Sequence, residues 1–381
     1  MIITRVKALN WRNLRKVSVP FERRVFAVGP NAGGKSNFLD IFRFLREIAV
    51  RGGGLYSAVQ KRGGVGSLQC RAGVEDGFEI AVTLGDENRP DLWAYEIGVQ
   101  RCGSGRKYPI LKYERVFKNG EKIVDRPDEL DRSDPIRLEQ TFLENGTANA
   151  AFRPLVTFFA EMVCHSWAPS GMGAYPWMGD LAEFFGNEPA RAFLRDIMAV
   201  PETVRRNRIE KIEAVLQLVV PQFKRLNLAE LNGNRVRLET MFEHWRPGEK
   251  LPQEQFSEGT LRLISILWAL LSSESVLLLE EPELSLHPSV VRHLPGLIYR
   301  LKRKQPGQTI LTTHSPELLA DEGIDAQEVV LFLPDEEGGA SIMPASELRE
   351  AQALIDAGLS VGEVVLPRSQ ASRVEELGFY Q

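Results

Sequence analysis

Gly29-Pro30-Asn31-Ala32-Gly33-Gly34-Lys35-Ser36 is the stretch on which the fold turns, because it fits the pattern G-x-x-x-x-G-K-[ST] without a mismatch. A loop of this kind points successive backbone N–H groups inward around phosphate oxygens, and Asn31, Gly33 and Gly34 stand where those groups are needed. Glycines without a Cβ allow the close approach, and the following helix aims its positive N-terminal end at the same anions. Lys35 is then placed to reach the β and γ phosphates of a nucleotide, and Ser36 to bind Mg²⁺. The flanking residues agree. Val25 to Val28 form a short apolar run ahead of the loop, and Phe38, Leu39, Ile41, Phe42, Leu45 and Ile48 recur behind it at helical spacing. Strand, loop and helix therefore stand in the order that a phosphate-binding loop requires.

Four further segments carry candidate chemistry. Val276-Leu277-Leu278-Leu279-Glu280-Glu281 reads as a buried strand ending in two acids, which puts the carboxylates at the C-terminal edge of a sheet. Glu280 would hold Mg²⁺ there and Glu281 would polarise an attacking water as general base, while an acidic, solvated turn is the plainer alternative. In Phe256-Ser257-Glu258-Gly259-Thr260, Ser257 caps an apolar helix. The same hydroxyl, with the Gly259 amide, also makes an anion site that could face a γ-phosphate held by another subunit. His314, in Thr313-His314-Ser315-Pro316, is either a hydrogen-bonded structural histidine or a donor that senses the γ-phosphate. Gln140 could offer an amide oxygen to Mg²⁺ or be an exposed structural glutamine.

The remainder of the chain frames these segments. Residues 2 to 28 read as two or three strands, and residues 76 to 124 as an antiparallel meander that turns at Asn119-Gly120. Residues 136 to 230 read as mainly helical, with Ile209, Ile212, Leu216, Val219 and Phe223 on one amphipathic helix. Residues 256 to 345 return to alternating helix and buried strand. The expected division is an N-terminal lobe over 1–135, a helical insertion over 136–250, a C-terminal lobe over 251–345 and a tail over 346–381. A formal charge of -4 gives no global attraction to nucleic acid, so any DNA contact would need a local basic patch. Arg205, Arg206, Arg208 and Lys211 form one such cluster, although a cluster of this kind is more often a solvated helix face. Cys70, Cys102 and Cys164 are too scattered for a zinc site or a disulfide framework, which points to a reducing, cytoplasmic setting. Apolar runs are too short to span a bilayer, and no membrane role is expected without a partner.

Taken in order, Gly29 to Ser36, Ser257 to Gly259, Glu280-Glu281 and His314 resemble the Walker A, signature, Walker B and switch-histidine motifs of ABC-type ATPases. Asn10-Trp11-Arg12-Asn13-Leu14, Asn37 directly after the loop, and Glu280-Glu281-Pro282-Glu283 running into Leu286-His287-Pro288 make the sequence similar to the branch containing RecF, the SMC proteins and the OLD-like ATPases. The resemblance covers about residues 1–45 and 250–345. It implies an α/β ABC-type P-loop head, a mixed sheet with an antiparallel β subdomain, carrying a largely helical insertion. It further implies that two heads sandwich two ATP molecules with Mg²⁺, that Ser257 and Gly259 of one head complete the site of the other, and that Leu284 to Leu286 form a loop crossing that interface.

Two departures stand out. Ala32 and Gly33 occupy positions where relatives often carry Gly and then Ser or Ala, and Glu280 replaces the commoner aspartate, which touches metal distance and turnover. OLD nucleases append a TOPRIM domain, for which the residues after His314 are too few. The expectation is therefore a regulatory ATPase that controls a separate effector, such as a TOPRIM-type nuclease in antiphage defence. A RecF-like or SMC-like DNA-repair clamp acting directly on DNA is the alternative.

Overall fold

The computed structural model describes residues 1–70, 76–101, 108–165, 188–231, 235–243, 248–303, 306–334 and 339–369. Cys102 lies outside them. In chain order the strands are β1 (Ile2–Trp11), β2 (Leu14–Pro20), β3 (Arg24–Val28), β4 (Phe78–Gly85), β5 (Trp93–Arg101), β6 (Pro109–Lys118), β7 (Glu121–Arg126), β8 (Val163–His165), β9 (Phe223–Leu231), β10 (Arg235–Phe242), β11 (Lys250–Pro252), β12 (Val276–Glu280), β13 (Gln308–Thr313), β14 (Val329–Pro334) and β15 (Ala340–Pro344). The helices used below are α1 (Lys35–Ala49), α2 (Glu202–Val219), α3 (Glu258–Ser272) and α4 (Pro288–Lys302).

The chain divides into two compact units, one of residues 1–164, 273–281 and 295–381, the other of residues 165–272 and 282–294. The larger unit is built on two sheets. An antiparallel sheet runs β2-β1-β4-β5-β6-β7, and a mixed sheet runs β15-β14-β3-β13-β12-β8. In the first, Phe78, Ile80, Val82 and Leu84 of β4 alternate buried with half-buried neighbours, as expected where one face meets a core. In the second, β3 and β13 are buried throughout, matching apolar runs without alternation in strands covered on both faces.

Helix α1 lies between the two layers. Phe38 packs on Phe332 of the mixed sheet with ring centroids 5.3 Å apart, while Phe44 meets Phe78 of the antiparallel sheet at 5.5 Å and Trp11 at 5.2 Å. One contiguous core joins all three layers, and the phosphate-loop helix contributes Phe38, Leu39, Ile41, Phe42, Phe44, Leu45 and Ile48 to it. Truncating a ring such as Trp11 or Phe38 to alanine would cost about 3–5 kcal/mol.

The smaller unit contains α2, α3 and a three-stranded sheet in the order β11-β10-β9. Two expectations are corrected here. The helix expected to run on to Phe223 ends at Val219, and Phe223 opens β9. The stretch from residue 223 to 252 is mainly strand: Leu226 pairs with Thr240 and Leu228 with Leu238 across β9 and β10, so its apolar period is two, which the helical reading overlooked.

Candidate functional site

The mixed sheet brings the motifs together through its strand order. β3 and β12 both run parallel to β13, with Val28 opposite Thr313 and Glu280 opposite Thr312. The phosphate loop leaving Val28, the acids ending β12 and His314 following β13 thus emerge side by side at the C-terminal edge of three adjacent strands, where open α/β folds bind ligands.

Gly34 is the residue at the N-terminal cap of α1, with φ of 99°, a left-handed conformation that favours glycine. A Cβ there would come within 2.8 Å of Leu14 and 2.9 Å of Asn13, so both backbone shape and space require glycine. No side chain caps this helix end and no acid occupies its first turn, which leaves its N–H groups directed at whatever the loop holds. Ala32 takes φ of 61° without being glycine, a strain of about 1–2 kcal/mol built into the loop. Lys35 is buried, and its Nζ donates to the carbonyls of Gly29 at 2.8 Å and Pro30 at 2.9 Å, lying across the loop. Asn31 is exposed at the loop's rim and Gly33 is buried, its amide donating to Pro30 at 3.1 Å.

The Asn10 to Leu14 segment is the turn between β1 and β2, and it clamps the start of α1. Trp11 Nε1 donates to the Asn37 carbonyl at 2.8 Å, Asn37 Nδ2 donates to Asn13 Oδ1 at 2.7 Å, and Arg12 pairs with Asp40 at 2.8 Å. The two sequence signals on either side of the loop are therefore one contact.

Glu280 accepts from the Ser36 hydroxyl and from Arg43 Nη2 at 2.7 Å. Burial alone would raise its carboxyl, but these two hydrogen bonds outweigh it and hold the group below the ordinary glutamate range. A hydroxyl and a carboxylate in contact are hard oxygen donors, the set Mg²⁺ takes alongside nucleotide phosphates. Ser36 and Glu280 fit that ion and would hold it. Among the described residues no cluster of three or more His, Cys, Asp or Glu could hold a metal.

Glu281 has φ of 43°, a left-handed strain at a non-glycine residue. Thr312 stabilises it doubly, since the Glu281 amide meets both the Thr312 carbonyl and the Thr312 hydroxyl at 3.1 Å. The Glu281 side chain lies 3.2 Å from His314 Nδ1, and His314 is exposed. Gln140 has an exposed side chain that hydrogen-bonds to nothing among the described residues. Its backbone is fixed by a buried knot: Arg126 donates to the Gln140 and Arg137 carbonyls at 2.8 Å and pairs with Glu114 and Asp131.

In the smaller unit Ser257 caps α3 by accepting from Thr260 N at 3.2 Å and is itself exposed. Gly259 lies against the following loop, where a Cβ would come within 2.4 Å of the Ser285 carbonyl. Ser285 takes φ of 62° and donates to Glu258, and Leu284 beside it is 42% exposed. The 257–259 segment and the 284–286 loop are thus packed against each other. Arg43 and Thr312 were not singled out by the sequence. Arg43 stands seven residues after Ser36 on the same face of α1, a spacing that could have found it.

Residues 28–320 match the family AAA_21, described as "AAA domain, putative AbiEii toxin, Type IV TA system". The chain belongs to this family. It is an ATPase of the AAA/ABC type, and the P-loop, the paired acids and His314 lie within the matched residues. A stretch of 117 residues is 32% identical to the energy-coupling factor transporter ATP-binding protein EcfA2 of Geobacillus kaustophilus, covering 31% of this chain and 39% of that protein. EcfA2 of Listeria welshimeri is 31% identical over 114 residues, 29% of this chain and 37% of that protein. The match thus spans about two fifths of the length of these curated relatives. Among solved structures, the SmcHead bound to the C-winged helix domain of ScpA superposes with a TM-score of 0.52 at 18% identity, covering 90% of this chain and 97% of that one, a likeness of fold. No helix among the described residues is long and apolar enough to cross a membrane.

Proposed function

We propose that this ATPase is a nucleotide-driven switch that closes head to tail as a homodimer around two ATP molecules and controls a separate effector protein. The observation that carries the reading is the strained Glu281, braced by Thr312 and facing His314, next to Lys35, Ser36 and Glu280 at one sheet edge. Lys35 and the amides of Asn31 and Gly34 bind the phosphates, the Gly33 amide joins them once it leaves the Pro30 carbonyl, and Asn37 is locked behind them. Mg²⁺, when bound, neutralises phosphate charge. Glu281 accepts the proton of the attacking water as general base, and His314 donates a hydrogen bond toward the γ-phosphate. Ser257 and Gly259 complete the pocket of the opposite subunit. Hydrolysis then removes the contact that holds the pair closed, and the effector reads the change in population.

The effector is a distinct polypeptide, with a TOPRIM-type nuclease in antiphage defence as the specific candidate, and the cytoplasm is the site of action. Gln140 joins the metal only if its exposed side chain turns inward. A DNA-repair clamp has less support: Arg208 donates to Ser272 at 2.9 Å and stacks 5.3 Å from the Trp268 ring, so of the basic cluster Arg206 and Lys211 remain the exposed members. The test is Glu281→Gln, whose mass is measured with and without ATP. A dimer that persists with ATP and unhydrolysed nucleotide is expected; unchanged turnover removes the assignment of the base.

A further inference from the structure

Arg43 has no part in the phosphate-loop chemistry, yet it makes the shortest ion pair at the site, 2.7 Å from Glu280. Both groups are partly shielded, with side chains 22% and 26% exposed, so the pair is not a solvated surface contact. α1 carries Ser36 and Arg43 two turns apart on one face, and Glu280 receives a hydrogen bond from each. The other acids around α1 are matched as well: Asp40 pairs with Arg12 and Arg62, and Glu47 with Arg62 and Lys61. Glu281 faces His314. The carboxylate of Glu280 is thus already paired with a cationic side chain of the chain itself, with the neutral Ser36 hydroxyl as a second hydrogen-bond donor and the acid nearest it, Asp40, held by its own arginines.

We propose that Arg43 makes divalent-cation loading conditional on nucleotide. The proposal rests on the reading of Ser36 and Glu280 as the metal pair. A free dication approaching this site meets a carboxylate whose charge Arg43 has cancelled, and it is repelled by the guanidinium. The triphosphate supplies the missing negative charge, so cation and nucleotide enter together. The Glu280 carboxylate accepts from Ser36 and from Arg43 at once. The device keeps the switch from being primed by metal alone.

The test is Mn²⁺ binding to the full-length protein without nucleotide, followed by electron paramagnetic resonance. Arg43→Gln gains one Mn²⁺ site at Glu280, and wild type binds the ion there at least about tenfold more weakly, so that the site stays empty over the same concentration range. That site is lost again in Arg43→Gln/Glu280→Gln, and Arg43→Lys, which keeps the charge, behaves as wild type. An Arg43→Gln protein that gains no site overturns the proposal. So does a wild-type protein that already holds one Mn²⁺ lost in Glu280→Gln, and this arm needs no folded Arg43 variant. A parallel titration of fluorescent ATP in EDTA and in Mg²⁺ separates the two readings. If Glu280→Gln leaves the Mg²⁺ dependence of ATP affinity intact, the metal assignment itself fails; if it removes that dependence and Arg43→Gln gains no Mn²⁺, the role of Arg43 alone fails.

Discussion

At the scale of single residues, the site concentrates strain. Glu281 and Ala32 both sit at positive φ without being glycine, and each costs about 1–2 kcal/mol that surrounding contacts must offset. For Glu281 the offset is visible in Thr312, whose carbonyl and hydroxyl both meet its amide. Replacing Thr312 by valine keeps the shape and the backbone contact but removes the hydroxyl, worth about 1 kcal/mol. The expected outcome is a kcat lowered several-fold with KM for ATP little changed, because the phosphate loop is untouched; a pure rise in KM would show that Thr312 does not brace the base. Neither strain nor brace was legible in the sequence. Glu280-Glu281 could be read as metal holder and base from their place after an apolar run, but backbone conformation is set by the neighbouring strand, and β13 lies more than twenty-five residues further along.

Among the elements, those with one clear period were legible and those with mixed signals were not. The loop, α1, the meander and the strands at 276–280 and 308–313 follow their apolar spacing. β9 and β10 were hidden because two-residue spacing shows only in short runs, Leu226 and Leu228 in one strand and Val236 and Leu238 in the other, beside a genuine helix ending at Val219, and Phe223 fits both patterns. The buried knot under Gln140 was invisible for another reason: Glu114, Arg126 and Asp131 are charged residues that a pattern of apolar periods assigns to the surface, yet their side chains are at most 1% exposed. Burial alone would raise the Asp131 carboxyl, but hydrogen bonds from Arg126, the Asp128 amide and Arg137 hold it down to about 2. Because the folded value lies below the unfolded one, the stability it contributes is present above about pH 4 and is lost as pH falls toward 2. Asp131→Asn should therefore be destabilised by about 2 kcal/mol at neutral pH, with the gap to wild type closing between about pH 4 and pH 2 in urea titrations. A gap independent of pH would mean that the carboxylate charge is not what holds the segment around Gln140.

For the whole molecule, the motifs fall in two units: Lys35, Ser36, Glu280, Glu281 and His314 in the larger, Ser257 and Gly259 in the smaller. If one pocket is shared between two copies, the halves can be broken separately and recombined. Lys35→Ala removes the phosphate contact of its own unit. Gly259→Ala drives a methyl into the Ser285 carbonyl, displacing both the signature segment and the exposed 284–286 loop while leaving the phosphate loop unaltered. Each variant alone has two damaged pockets per dimer and should turn over little ATP. Mixed in equal amounts, roughly half of the pairs contain one of each, and a head-to-tail arrangement gives every mixed pair one intact pocket. Turnover should recover to about a quarter of wild type on mixing. It should also fall faster than linearly on dilution, because the active species is a pair. Mixing that restores nothing, together with a wild-type rate per molecule that is constant at any concentration, would place the complete reaction within a single copy, and Ser257 and Gly259 would then be a helix cap and a packing glycine.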